Sequence, residues 1–407
     1  MRKLNFIDLF SGCGGLSDGF LQSGFYNHIA SVEWEKVPVN TSRKRLSSRW
    51  NIQDSDESVI RFDIQRTDEL LNGFDDEVYG KHCGLIKLIG KRKIDVVIGG
   101  PPCQAYSVAG RVSVHQEEKP DYRNYLFEYY LKVVERLEPR VFLFENVPGM
   151  LSAMPDGTPI IDLIKRDIES KGFEIINNIG SNAIVNAVDY GVPQNRRRVI
   201  LVGLNKKYFK NNRQDILLRF YNQLLCDLKI NHIYTVEEAI GDLPPCLPLY
   251  SDRRPSHTIP VCDCSWHYSR YNSLRDVNIF RMLAEDIETQ TFNYTDSERL
   301  KDIYNDATGS NTNVHKYHVL RRDEPSTTIL AHLYKDGLRF IHYDSRQART
   351  ITVREAARLQ SFDDDFDFVG TQGAAFKMIG NAVPPKLAKA LSIALFNLLM
   401  ENSKEEE

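Results

Sequence analysis

Short apolar runs alternating with amphipathic stretches constrain this chain more than any other feature. The runs lie at 4–10, 28–32, 94–98, 141–144 and 199–204. Between the third and fourth, Leu126, Tyr130, Val133 and Leu137 recur at helical spacing. Ile161, Ile164 and Ile168 do the same ahead of Gly172, which reads as a helix stop. Strands that alternate with helices pack as a mostly parallel sheet covered on both faces, so the expected class is α/β. Such sheets place their chemistry where the strands end.

The 407 residues carry a net charge of −3, so no global field draws the chain to nucleic acid. Local clusters such as Arg43-Lys44-Arg45 and Arg196-Arg197-Arg198 read singly as solvated faces. Seven cysteines without dense spacing do not form a disulfide framework, which points to a reducing compartment. No run approaches the roughly 18 apolar residues of a membrane span. Cys246, Cys262, Cys264 and His267 have a spacing foreign to the usual zinc patterns, and no metal site is expected.

The first run leads directly into Ser11-Gly12-Cys13-Gly14-Gly15. Glycines after a first parallel strand let the backbone turn tightly and approach a ligand closely. Glu33 follows about 20 residues later, where ribose hydroxyls are commonly held. Trp34 is suited to pack on a purine, and Asp63 marks another strand tip. The spacing is not that of a dinucleotide fold, so an adenosine cofactor without a pyrophosphate fits better.

The run at 94–98 opens into GGPPCQAYSVAGR, which holds a thiol, Cys103, on a stiff turn at a strand exit. Glu145 stands at the next strand end, with Asn146 and the Val147-Pro148 turn behind it. Burial beside 141–144 suits that carboxyl to donate a proton near neutrality. In QNRRR, alternation sets Arg196 and Arg198 on one face and Arg197 on the other. Two guanidinium groups on one face suit a base carbonyl and a phosphate. A thiol, an acid and two arginines at successive strand ends form a nucleophilic site.

These segments resemble the DNA (cytosine-5)-methyltransferases of bacterial restriction–modification systems. The resemblance rests on FIDLFSGCGGLSDGF, SVEWEK, RFDI, GGPPCQAYSVAGR, FLFENVPGM, VDYGVPQNRRRVILVG, RQARTITVREAARLQSF and GNAVPPKLAKAL, in that order. It implies a Rossmann-like domain that takes S-adenosyl-L-methionine. It also implies that Cys103 attacks C6 of a cytosine while Glu145 contacts the ring edge. Arg198 is implied to hold the base carbonyl, with Arg196 supporting the thiol or a phosphate. The implied cofactor contacts are Phe10, Gly12, Gly14, Glu33, Trp34, Asp63, Ile64, Pro101, Asn381 and Ala382. The implied substrate is double-stranded DNA, from which the cytosine would be flipped at a cost of a few kcal/mol.

On this reading residues 1–204 and 344–400 form a discontinuous catalytic domain. Residues 205–343, rich in Pro244, Pro245, Pro248, Pro255 and Pro260, form a smaller target-recognition domain of loops and short strands. The acidic end, 401–407, frays. Residues 104–124, with Gly110 as hinge, are expected to close as a lid. A cytoplasmic monomer is expected, functionally paired with a restriction endonuclease but in no stable complex with it. A transfer RNA methyltransferase on the same core is the competing enzyme. Arg253, Arg254, Arg270, Asn272, Arg321 and Arg322 are the candidate base readers, without a register.

Overall fold

A computed structural model of the chain describes residues 2–102, 125–154, 157–251 and 253–402. Cys103 and the expected lid at 104–124 lie outside the described residues, as does most of the acidic end. Contacts divide the chain into two compact units. One comprises Met1–Tyr190, Arg197–Asn231 and Val383–Glu407; the other comprises Gly191–Arg196 and His232–Ala382.

The first unit is built on strands β1 (Leu4–Leu9), β2 (Tyr26–Glu33), β3 (Val59–Arg61), β4 (Val96–Gly99), β5 (Val141–Asn146), β6 (Phe173–Glu174), β7 (Ile184–Asn186) and β8 (Arg197–Asn205). They form one eight-stranded sheet in the order β3-β2-β1-β4-β5-β8-β6, with β7 also pairing β8. The strands from β3 to β5 run parallel. β8 runs antiparallel to β5, β6 and β7. That reversal is invisible in the sequence pattern, yet it decides the site: the first residues of β8 meet the same sheet edge as the last residues of β5.

Helices α1 (Gly15–Gln22), α2 (Lys36–Trp50), α3 (Leu126–Leu137) and α4 (Ile160–Ser170) belong to this unit. α3 buries Leu126, Tyr130 and Val133 of the predicted stripe, and Val134 beside them, whereas Leu137 in its last turn is only half-buried. The buried stripe of α4 is Ile160, Ile164 and Ile168; Ile161 lies off it. Spacing of four residues keeps a helix face in line, which 160 satisfies and 161 does not.

The second unit holds α5 (Leu274–Glu288), α6 (Val353–Leu359) and α7 (Gln372–Asn381), with a further helix at Ser297–Thr308. The expectation of loops and short strands over 205–343 is corrected here. Val277, Phe280, Leu283 and Ala284 recur at helical spacing, and Ser273 and Asp296 cap the two helices through their side chains. These signals stand in the sequence and outweigh the proline-rich texture before them. Packing also draws the boundaries elsewhere than 204/205 and 343/344. Tyr221 exchanges hydrogen bonds with β8, from Val202 N–H and to the Ile200 carbonyl, which ties 205–231 to the first unit. Arg354 donates to Ser265, and His267 bonds Thr352, which ties α6 to the second unit.

α8 (Pro385–Glu401) returns to the first unit and lies on α1. Tyr26 on β2 donates to the Ser392 carbonyl within this contact (2.8 Å). The stretch Gln372–Glu401 has the length and apolarity of a membrane span, but its apolar part is mostly buried and it is broken between α7 and α8.

Candidate active site

At the carboxyl end of β1 the backbone turns through Phe10 and Gly12, both in the left-handed region at φ 59° and 55°. A β-carbon on Gly12 would meet no atom of the described residues within 4 Å, so among them the turn presents an open face. Ser11 hydroxyl is buried beside it with no partner among the described residues. Gly14, at φ 90°, leads into α1.

Glu33 ends β2 and ties this turn together. Its carboxylate accepts from Gly12 N–H (3.0 Å), Trp34 N–H (2.9 Å) and Glu35 N–H (2.9 Å). A carboxylate has about four acceptor positions, so one remains at Oε2 for an outside hydroxyl. Burial raises the Glu33 pKa, and the amide bonds oppose the rise. Trp34 is 56% exposed, an uncommon setting for a tryptophan. Past β3, Asp63 accepts from Gln65 N–H at 3.0 Å, and Ile64 is buried. Phe10, Gly12, Gly14, Glu33, Trp34, Asp63 and Ile64 therefore follow the ends of three adjacent strands.

β4 and β5 supply the second half. Asn146 Nδ2 donates to the Pro101 carbonyl at 3.2 Å, and its Oδ1 accepts from Val147 N–H at 2.8 Å. The buried amide thus pins the turn that leads to Cys103. Glu145 Oε1 pairs with Arg198 Nε at 2.8 Å, with only 12% and 10% of the two side chains exposed. Its Oε2 lies where a β-carbon on Gly100 would come within 2.8 Å. A side chain there would press on the tip of the carboxylate and make it shift. The expectation of an acid in an apolar surround is corrected: the carboxylate has a cationic partner. Burial pulls the Arg198 pKa below the ordinary guanidinium value, an effect that Glu145 opposes.

Arg196, Asn381 and Ala382 belong to the second unit. Arg196 is buried and donates to the carbonyls of Ile329 (2.9 Å), Gly380 (3.0 Å) and Ala382 (3.1 Å). Gln194, also buried, donates to the Leu359 carbonyl and accepts from Ile329 N–H. Ala382 carbonyl receives a further bond from Gln360. Asn381 is exposed at the end of α7.

Two features went unread in the sequence. The buried Ser11 hydroxyl sits at a position that spacing does not mark. Gly100 reads as half of a turn, whereas it also abuts the Glu145 carboxylate. By contrast, the thiol of Cys13 inside the glycine turn is structural, since burial pushes its pKa up to about 12. Cys262 and Cys264 bring their sulfurs within 3.2 Å, while His267 bonds Thr352 and the Pro244 carbonyl.

A sequence model of the C-5 cytosine-specific DNA methylases matches residues 4–397. The chain belongs to that family. It is 30% identical to the type II methyltransferase M.Bpa9945I of Bacillus paralicheniformis over 97% of its own length and 98% of the relative's. It is 31% identical to M1.HphI of Haemophilus parahaemolyticus over 97% and 87%. Among solved structures, an E. coli prophage protein described as a DNA modification methyltransferase superposes with a TM-score of 0.64 at 24% identity. It covers 98% of this chain and all of its own. The S. pombe Dnmt2 methyltransferase shares the fold with a TM-score of 0.55 at 13% identity, over 98% of this chain and all of its own. The Glu145–Arg198 pair lies beside Gly100, directly after β4.

Proposed function

We propose that this methylase flips a cytosine from a specific duplex sequence and methylates C5 while Cys103 is bonded to C6, as the modification enzyme of a restriction–modification system. The Glu145–Arg198 pair carries the reading. An acid on β5, paired with a guanidinium on the antiparallel β8, lies beside Gly100, and Cys103 follows Gly100 by three residues in the sequence.

Each group has a defined task. Cys103 adds to C6, which makes C5 electron-rich enough to accept a methyl group; loss of the C5 proton then expels the thiolate. Glu145 engages the ring edge at N3 and the exocyclic amine, and Arg198 holds O2 while keeping Glu145 in position. Asn146 holds the Pro101 turn still. Arg196, bonded to three carbonyls, acts as a positioning residue. The open face of Gly12, the unpartnered Ser11 hydroxyl, the remaining acceptor on Glu33 and exposed Trp34 fit S-adenosyl-L-methionine. That cofactor supplies a methyl group activated on a sulfonium. Phe10, Asp63, Ile64 and Pro101 line the same strand ends.

The test incubates the protein with methyl-labelled cofactor and either duplex DNA or transfer RNA, followed by bisulfite sequencing of the DNA. Label at C5 of one defined duplex motif is the expected result. Label in transfer RNA alone overturns the reading. DNA containing 5-fluorocytosine should trap a covalent complex at Cys103, because fluorine blocks the final elimination.

A further inference from the structure

Cys262-Asp263-Cys264 sits in a surface loop of the second unit. The chain bends there so that Cys262 Sγ lies 3.2 Å from Cys264 Sγ and donates to the Cys264 carbonyl at 3.3 Å. The end of this loop is fixed. Arg354 on α6, itself buried, donates to the Ser265 carbonyl and to Ser265 Oγ, each at 3.0 Å. Ser265 Oγ and Trp266 Nε1 both donate to Asp367 Oδ1, at 3.1 and 2.9 Å. The start of the loop is open: Ile259, Val261 and Asp263 are exposed, and both cysteines are half-buried. A reagent can therefore reach two sulfurs that already stand together.

The other thiols among the described residues lack one of these features. Cys13 and Cys246 are buried. Cys83 and Cys226 are exposed, but neither has a second thiol in contact among the described residues. Disulfide sulfurs stand about 2.05 Å apart, so closing the 262–264 pair needs an approach of about 1 Å, within the reach of χ1 rotation. Burial, and then the hydrogen bond to Cys262, push the Cys264 thiol above its ordinary pKa. The second cause ends once Cys262 is bonded elsewhere, which frees Cys264 to react in turn.

We propose that Cys262 and Cys264 form a dithiol site for low-molecular-weight disulfides of the glutathione class, which convert the pair to an intrachain disulfide by thiol–disulfide exchange. The site rests on no part of the methylating function. Cys262 thiolate attacks one sulfur of the reagent and expels the first thiolate. Cys264 then gives up its proton, attacks Cys262 Sγ and expels the second. The two cysteines together lose two electrons and two protons, and the reagent leaves as two thiols. Because the sulfurs are adjacent, the second step is intramolecular and outruns reduction of the mixed disulfide by a free thiol. With one residue between the cysteines the ring that closes is small and strained, so the product is readily reduced again.

To test this, the full chain is equilibrated with mixtures of reduced and oxidised glutathione, its remaining thiols are blocked with iodoacetamide, and tryptic peptides are mapped by mass. Peptide 254–270 holds Cys262 and Cys264 and no other cysteine, so loss of two hydrogens within it reports the disulfide directly. That loss is expected, with full recovery in dithiothreitol. The oxidised-to-reduced ratio of this peptide follows oxidised glutathione over the square of reduced glutathione. Diluting both forms tenfold should therefore raise it about tenfold, whereas mixed disulfides at Cys83 and Cys226 should not respond. In Cys264→Ser, Cys262 should carry one glutathione, and its ratio should also ignore dilution. Wild-type peptide 254–270 that stays reduced in oxidised glutathione alone, carries glutathione itself, or is joined to the Cys246 peptide overturns the proposal. Reading mass rather than turnover keeps the result independent of methylation.

Discussion

Alanine at Gly19 usually stabilises a helix, by about 1 kcal/mol in the middle of a turn. Here the sign should reverse. A β-carbon at this position would lie 2.4 Å from Ala388 Cβ, 2.4 Å from the Pro385 carbonyl oxygen and 2.7 Å from Lys389 N. Ordinary carbon contacts are about 3.5–4.0 Å, so α1 and α8 must separate by roughly 1 Å. Two of the three obstacles are backbone atoms, which no rotamer change can move. With backbone atoms in the way, overpacking falls in the upper part of its usual range, about 2–3 kcal/mol, and leaves a net loss of about 1–2 kcal/mol after the propensity gain. That lowers the folding equilibrium about 5- to 30-fold. Urea unfolding followed by tryptophan fluorescence reads it directly. Because α1 starts at the Gly12–Gly14 turn, cofactor binding by calorimetry should weaken in the same variant. Adding Ala388→Gly removes one obstacle and should restore part of the loss. A Gly19→Ala protein as stable as wild type, or more so, would refute the tight α1–α8 contact and the reasoning built on it.

Arg198→Met strands the Glu145 carboxylate; removing one partner of a buried pair costs about 3 kcal/mol, and turnover with cofactor and DNA saturating should fall roughly 100-fold. Single-turnover methylation within twofold of wild type would contradict the assigned role. His342, 2% exposed, has its pKa pulled down to about 3, first by burial and then by Arg349. The folded ring refuses a proton that the unfolded chain accepts below about pH 6.5. Its contribution is therefore complete above that pH and declines on acidification, by up to about 1.4 kcal/mol per unit. In His342→Gln the urea midpoint should depend less steeply on pH between about 6 and 4 than in wild type; parallel slopes would exclude the effect.

The strand–helix alternation, the glycine turn and the acids at strand ends were legible in the sequence because each arises from neighbours in the chain. Burial of Tyr130 in α3 and of Leu387, Leu391 and Leu395 in α8 follows from periodicity alone. The helix at 274–288 was equally legible in its spacing and its Ser273 cap, and the proline-rich approach obscured it. What local pattern cannot hold is strand direction and the company of distant residues. Whether β8 runs parallel or antiparallel is settled by pairing with β5, and only that pairing sets Arg198 2.8 Å from Glu145. The two neighbouring arginines of QNRRR look equivalent in sequence, yet Arg196 is bonded to carbonyls more than 130 residues away while Arg198 faces an acid. Burial forced that division: a guanidinium removed from water must find acceptors, and which acceptors it finds depends on the packing of chain segments remote from it.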